Sequence, residues 1–288
     1  MVCVDNFSTG TPSNIAALTS HTGFAVVESD VTEPLMISGQ VDLLLHFACP
    51  ASPADFLRHP IDTLKAGSLG TLHALDLACR TQAHFVLAST SEVYGDPQQH
   101  PQRESYWGNV NPIGPRSAYD EAKRFSEALT TAYRTSCGLK TAIVRLFNIY
   151  GPRMRADDGR VIPTFIQQAL THIPLTVAGD GSQTRSFCYI DDAVRGILAL
   201  AASDHSGPVN IGNPTEITIS TLAQLIKREA RSPSPVHLID RPQDDPQQRC
   251  PDISAARELL GWEPTVDLEE GIRETIRHQT RRHSLSSR

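Results

Sequence analysis

The sequence predicts an α/β fold: a Rossmann-like, doubly wound parallel sheet followed by a smaller C-terminal substrate domain. Three observations carry this prediction. Short apolar runs alternate with helix-length segments through the first half of the chain. Polar groups close those runs: Asp5 ends the first, and Thr90 and Glu92 follow a central one, Phe85–Ala88. Open α/β sheets bind their ligands at such C-terminal strand ends. Finally, Tyr119 and Lys123 stand four residues apart in a helix-like segment, which puts both on one helix face.

An ammonium beside a phenol lowers the phenol's pKa toward neutrality, as a tyrosine general base requires. Alone, such a pair is usually a surface pair. With Thr90-Ser91-Glu92 just upstream, the combination points to an active site.

The bulk numbers agree with an ordinary globular enzyme. The chain has 288 residues, 40% hydrophobic and 20% charged, enough for one large or two modest domains. A net charge of −6 argues against a nucleic-acid partner. No apolar run is long enough for a bilayer, and no secretory leader is expected. The six cysteines are scattered, without a Cys-x-x-Cys pair. They read as reduced thiols in a cytoplasmic protein, with no disulfide framework, and no metal site is expected.

In chain order, Val2–Val4 reads as a strand ending in Asp5. An acidic residue at the end of the second strand of a dinucleotide fold bonds the adenosine ribose and repels a 2′-phosphate, which favours NAD. A polar loop, residues 6–10, leads to a short helix over residues 12–18. Strands follow at 23–29, ending in Asp30-Val31, and at 41–47. The proline-rich stretch 48–60 reads as a loop, and 61–81 as one helix carrying Lys65, which could reach a substrate or cofactor. After the central strand and the Tyr119 helix, a strand at 142–147 ends in Asn148.

A boundary is expected near residue 155. The dinucleotide-binding domain spans 1–155, residues 186–213 return to it, and 156–280 form most of the substrate domain. In that second half a helix is expected at 161–170 and strands at 175–177 and 184–187. Gly179-Asp180-Gly181-Ser182 reads as a hairpin turn between those strands. Arg160, Arg185 and Arg249 could bind a diphosphate, because guanidinium forks suit phosphate oxygens. Further helices are expected at 191–201, 219–230, 253–260 and 268–280, a strand at 209–212, and a disordered tail at 281–288.

A dinucleotide fold normally opens with a strand, a Gly-x-x-Gly-x-x-Gly loop and a helix whose N-terminus holds the pyrophosphate. No segment of these 288 residues supplies that signature. The expectation is a truncated chain whose sheet lacks its first strand and glycine loop, leaving neighbouring strands unpaired.

Several separated blocks resemble the extended short-chain dehydrogenase/reductase family. They are HFACPASPADF (46–56), LASTSEVYGDPQQHPQRESYWGNVNPIGPRSAYDEAKR (87–124), RLFNIYGPRMRADDGRV (145–161), PLTVAGDGSQTRSF (174–187), GPVNIGNPTE (207–216) and DDPQQRCPDI (244–253). Together they reach over most of the chain from Val2 to Thr275. Within the family the blocks look most like the decarboxylases that act on UDP-glucuronate. The related 4,6-dehydratases usually carry aspartate where Ser91 stands, and 4-epimerases typically lack a carboxylate at Glu92. Arg249, in a Gln-Arg-x-Pro-Asp-Ile setting, also looks like the decarboxylase pattern.

The resemblance implies a homodimer that uses NAD to turn UDP-glucuronate into UDP-xylose through a 4-keto sugar. Other epimerase or dehydratase chemistry, or a silent UDP-sugar-binding chain, are the alternatives. Thr90, Glu92, Tyr119, Lys123 and Arg249 would be catalytic. Asp5, Asn6, Ser8, Thr9, Asp30, Val31, Phe47 and Cys49, with Tyr119 and Lys123, would line the cofactor. Lys65, Asn148, Arg160, Thr176, Arg185 and Arg249 would hold the substrate. Three positions depart from the usual family residue: Gly67, Ala118 and Ala178.

Overall fold

The structure is a computed structural model that describes residues 1–286, with side chains described through residue 281. β1 (Val2–Asp5) and β2 (Ala25–Glu28) pair in parallel as a separate ribbon. The segment between them holds two single 3-10 turns, Pro12–Asn14 and Ala16–Leu18, in place of the expected helix. β3 (Leu43–His46) follows.

The stretch expected to be a loop before residue 60 instead forms α1 (Pro53–Arg58). Ser52 caps it, its hydroxyl accepting from the Asp55 amide at 3.1 Å, and Pro53 occupies the first turn, where no amide is lost. Proline at a helix start looks like a loop signal in sequence, which explains the difference. α2 (Pro60–Lys65) starts the same way.

The single helix expected over 61–81 is three pieces. A π-helical turn, Ala66–Gly70, separates α2 from α3 (Thr71–Thr81). This turn lies against α4 (Ser117–Cys137), which follows β4 (His84–Thr90). A Cβ added at Gly67 would stand 2.6 Å from the Cβ of Ala122 and 2.9 Å from its carbonyl oxygen. Only glycine fits there. Gly67→Leu is therefore expected to cost about 1–3 kcal/mol through overpacking. Chemical denaturation reads this as a lower midpoint, and Ala122→Gly in the same chain should recover part of the loss.

β5 (Thr141–Leu146) and β6 (Ile149–Tyr150) come next, then α5 (Val161–Leu170), β7 (Leu175–Ala178), β8 (Thr184–Ser186) and β9 (Cys188–Tyr189). α6 (Ile190–Ala202) leads to β10 (Pro208–Ile211), which completes a four-stranded parallel sheet of order β10-β5-β4-β3. Alternate residues of β4 and β5 enter two different cores. Phe85, Leu87 and Ile143 pack with Leu75 of α3 on one face. Val86, Ala142 and Val144 pack with Ile197 of α6 and Trp262 on the other. Burial on both faces explains why these strands read as unbroken apolar runs. Among the described residues β3 pairs with β4 alone, so its other edge is unpaired, and Leu43 and Leu45 are exposed.

The remainder is β11 (Glu216–Thr218), α7 (Ile219–Glu229), β12 (Val236–Ile239), β13 (Gln248–Arg249), α8 (Ser254–Leu260) and α9 (Leu268–Ser286). The expected hairpin at 179–182 is not one. Gly179 and Gly181 do adopt positive φ, but β7 and β8 do not pair. β7 pairs in parallel with β12, whereas β8 lies between antiparallel β11 and parallel β13. The turn sends the chain from one small sheet to another. A third core forms here from Phe165, Ile166, Leu175, Leu222, Ile226 and Ile272. α9 continues past the expected end at Thr280, and residues 287–288 of the expected tail lie outside the described residues.

Candidate active site

β4 carries the site. At its C-terminal end the Thr90 hydroxyl accepts from the Glu92 amide at 3.2 Å and caps a 3-10 turn, Ser91–Tyr94. That turn aims the Glu92 side chain at two arginines. Arg249 grips it with a bidentate fork at 2.6 and 2.9 Å, and Arg116 adds a contact of 2.8 Å. Burial opposes the Glu92 charge, but Arg249 and Arg116 win and hold its carboxyl well below the usual glutamate range. Glu92 is thus a fixed anion.

Tyr119 and Lys123 share one face of α4, as their spacing predicts. The Tyr119 ring stacks on Phe56 of α1 at 5.1 Å with an interplanar angle of 4°. Arg116 sits over the far ring, 5.5 Å from the Phe56 centroid. The Lys123 ammonium lies 5.9 Å from the Tyr119 centroid and donates to the Ala88 carbonyl at 2.9 Å. The expected lowering of the Tyr119 pKa does not occur in this state. Burial pushes the phenol well above its ordinary value, Cys49 and Glu92 add to the rise, and a Thr90 hydrogen bond and Arg160 only partly offset it. Burial dominates, and the lysine ammonium is aimed at a backbone carbonyl and not at the phenol oxygen.

A buried polar chain fixes α4 against the sheet. His46 of β3 bonds the Thr71 hydroxyl at 3.1 Å, Thr71 bonds Ser126 at 3.0 Å, and Ser126 reaches the Gly67 carbonyl at 2.7 Å. Burial drops the His46 pKa to about 3, so the ring is neutral. Beyond β4, Arg145 of β5 ties down the long loop before α4. It forks onto Glu127 at 2.9 and 2.7 Å and donates to the Tyr94 hydroxyl and the Glu104 carbonyl.

Of the catalytic candidates, Glu92 and Arg249 line the larger of two cavities, whereas Thr90, Tyr119 and Lys123 line neither. The larger, about 580 Å³, is lined by Glu92, Arg116, Asn148, Arg160, Thr176, Arg185 and Arg249, among others. Its volume suits a nucleotide-sized ligand. Each arginine already has a carboxylate partner: Arg160 has Asp158 at 2.8 Å, and Arg185 has Asp245 at 2.9 Å. Asn148 donates to the Ser186 carbonyl, and Thr176 accepts from Gln168.

The smaller cavity, about 270 Å³, gathers Asp5, Asn6, Ser8, Thr9, Asp30, Val31, Phe47 and Cys49. Those eight residues come from the C-terminal ends of three strands. Lys65 lines this cavity too and not the larger one. The reason is that α2 ends beside β2, where the ammonium helps lower the Asp30 pKa behind the larger effect of the Thr32 amide.

Sequence reasoning missed Arg116, Phe56 and Asp120. Arg116 and Phe56 lie in stretches that read as loops. Asp120 follows the tyrosine and is buried beside Glu92, with its Oδ1 unpartnered. Burial and the Glu92 charge push its carboxyl up to about 7, against the pull of Arg116 and Arg249. Its folded pKa lies above the ordinary 3.8, so the folded chain binds the extra proton between about pH 4 and pH 7. Stability falls as pH rises through that window. The advantage of Asp120→Asn over the parent should therefore widen by about 1–3 kcal/mol between pH 5 and pH 8. Urea denaturation at the two pH values reads the difference.

The sequence profile of the NAD dependent epimerase/dehydratase family matches residues 1–212. The chain belongs to that family. Among curated family members, it is 51% identical over 278 residues to UDP-glucuronic acid decarboxylase 1 of Danio rerio, covering 96% of this chain and 66% of that one. It is 50% identical over 272 residues to UDP-glucuronic acid decarboxylase 6 of Arabidopsis thaliana, covering 94% and 79%. The chain thus spans about two thirds of the zebrafish protein's length. Among solved structures, UDP-glucuronic acid 4-epimerase of Bacillus cereus, in complex with UDP-glucuronic acid and NAD, superposes with a TM-score of 0.85. It is 26% identical, covering 97% of this chain and 90% of that one. The dTDP-glucose 4,6-dehydratase DesIV of Streptomyces venezuelae, with NAD bound, gives 0.89 at 25% identity, covering 99% and 88%. The parallel sheet of this chain is that of the NAD dependent epimerase/dehydratase family.

Among the described residues, the smaller cavity fits the adenosine half of NAD. It offers the Asp5 carboxylate at a strand end and Asp30 with its charge stabilised. The Asp5 Oδ1 already accepts from the Phe7 amide at 2.7 Å, which fixes the carboxylate's direction.

Proposed function

We propose that this chain decarboxylates UDP-glucuronate to UDP-xylose with bound NAD. The observation that carries the reading is the Glu92–Arg249–Arg116 cluster beside Tyr119 at the wall of the larger cavity. Roughly half identity to UDP-glucuronic acid decarboxylases supports the same choice.

In this reading Arg160 and Arg185 exchange or share their carboxylate partners with the diphosphate. Asn148 and Thr176 line the UDP end. Tyr119, bonded to Thr90, takes the proton of the sugar C4 hydroxyl. NAD would supply the hydride acceptor and donor. Oxidation at C4 makes the sugar a β-keto acid, so the C5–carboxylate bond breaks and its electron pair enters the C4 carbonyl. CO₂ leaves, C5 gains a proton, and the hydride returns to C4. Arg249 stabilises negative charge near C5, and Glu92 holds Arg249 in place. Lys123 sets the field around the phenol.

The reading includes a homodimer. Leu57, Ile61, Leu64 and Phe125 are exposed apolar side chains on α1, α2 and α4, suited to a second copy. It also places the chain in the cytoplasm, supported by cysteines that are free wherever described. No described helix is long and apolar enough to cross a membrane.

The test is chromatographic separation with mass spectrometry of the products the chain forms from UDP-glucuronate and NAD. Appearance of a UDP-pentose with release of CO₂ supports decarboxylation. A product that keeps the carboxylate favours 4-epimerisation and overturns it. Binding of UDP-glucuronate without any product would instead favour a silent binding protein.

A further inference from the structure

Away from the substrate cavity, three segments bring a metal-ligating set together. His100 lies in the long loop after β4, Glu216 opens β11, and Cys250 follows β13. The His100 Nε2 and a Glu216 carboxylate oxygen are 2.8 Å apart. One ligand atom from each of the three residues lies within 4.8 Å of the other two. We propose that His100, Glu216 and Cys250 bind a thiophilic divalent cation, Zn²⁺ by ligand type.

The donors and their support fit that ion. Imidazole, carboxylate and thiolate are the three side-chain ligands zinc takes. With metal–ligand bonds of about 2.0–2.3 Å, tetrahedral ligands stand further apart than 2.8 Å, so the cation opens the His100–Glu216 contact slightly. Three protein ligands leave a fourth position for water. His100 and Glu216 are partly exposed, which gives an entry path, while Cys250 forms the buried floor.

The scaffold is already tied together. The Thr184 hydroxyl donates to the other Glu216 oxygen at 2.6 Å and orients the carboxylate. Such outer partners are what hold metal ligands in register. The Gln102 amide donates to the Cys250 carbonyl at 2.9 Å, and the Gln102 side chain accepts from the Cys250 amide at 2.9 Å. The loop carrying His100 and the segment carrying Cys250 therefore cannot drift apart easily. The Cys250 thiol donates to the Pro214 carbonyl at 3.3 Å. Cation binding forms a metal–sulfur bond and releases that proton to solvent.

The position has a consequence. Cys250 is the neighbour of Arg249, and Glu216 pairs with Ser186 beside Arg185. A cation here would clamp the three-stranded sheet that presents both arginines to the larger cavity.

The test is a Co²⁺ titration of the chelator-treated full chain, followed by near-ultraviolet absorption. The expected result is a thiolate-to-cobalt charge-transfer band that saturates at one equivalent and is displaced by Zn²⁺. Cys250→Ser should abolish the band, and His100→Ala should weaken Co²⁺ binding at least about tenfold. Cys137→Ser, at an exposed cysteine, should leave the band unchanged. If Cys250→Ser does not fold, the exposed-side variants His100→Ala and Glu216→Gln decide the matter. No band, or a band indifferent to substitution at His100, Glu216 and Cys250, overturns the site. The readout is independent of turnover, so it stands or falls apart from the decarboxylase reading.

Discussion

Tyr119→Phe is expected to lower kcat by about 10²–10⁴-fold, the usual contribution of a positioned acid–base group. The substitution keeps the ring stacked on Phe56 and removes only the hydroxyl that meets Thr90 and, in the proposed reaction, the C4 oxygen. Binding of UDP-glucuronate should change little, because the cavity's arginines are untouched. Stability should shift by about 1 kcal/mol or less, since one hydrogen bond is lost without leaving a buried charge. Steady-state kinetics with a binding isotherm separates these effects. A fall in affinity equal to the fall in kcat/KM, with kcat preserved, would refute the role.

Arg249→Leu is expected to be damaging in two ways. Glu92 keeps Arg116 but loses its bidentate partner while staying buried, a loss of about 3–5 kcal/mol by analogy with other broken buried pairs. Turnover should fall as well, because the cation proposed near C5 disappears. The double variant Glu92→Gln with Arg249→Leu removes the stranded charge. It should recover much of the stability and none of the activity. Denaturant unfolding of the three chains beside one activity assay distinguishes a structural loss from a catalytic one.

The same cluster sets a pH signature. The folded pKa of Glu92 lies below the ordinary 4.5, so its clamp contributes fully above that value and is lost as pH falls below it. Asp120 acts oppositely: its folded value of about 7 lies above 3.8, so it costs stability as pH rises from about 4 to 7. The two carboxylates therefore narrow the stable range from opposite sides.

Much of this was legible in the sequence because it rests on local rules. β4 and β5 are uniformly apolar because both of their faces are buried, and that reads directly as strand. The four-residue spacing of Tyr119 and Lys123 fixes their shared face whatever surrounds them. Asp5 and Asp30 of the smaller cavity follow from where parallel strands stop, whereas Asn6, Ser8, Thr9, Val31, Phe47 and Cys49 were implied by the family resemblance.

Tertiary contacts decided the rest. The π-helical turn at residues 66–70 arises where Gly67 meets Ala122, a contact 55 residues apart. β7 chose β12 over β8, although the glycine turn between β7 and β8 suits a hairpin, because pairing depends on which small sheet each strand joins. The Glu92–Arg249 fork joins residues 157 apart, and no spacing rule reaches that far. The Tyr119 pKa shows the limit most clearly. Sequence put an ammonium beside the phenol, but the structure aims that ammonium at Ala88 and buries the ring against Phe56. Which charge a group feels is set by orientation and dielectric, and both belong to the folded chain.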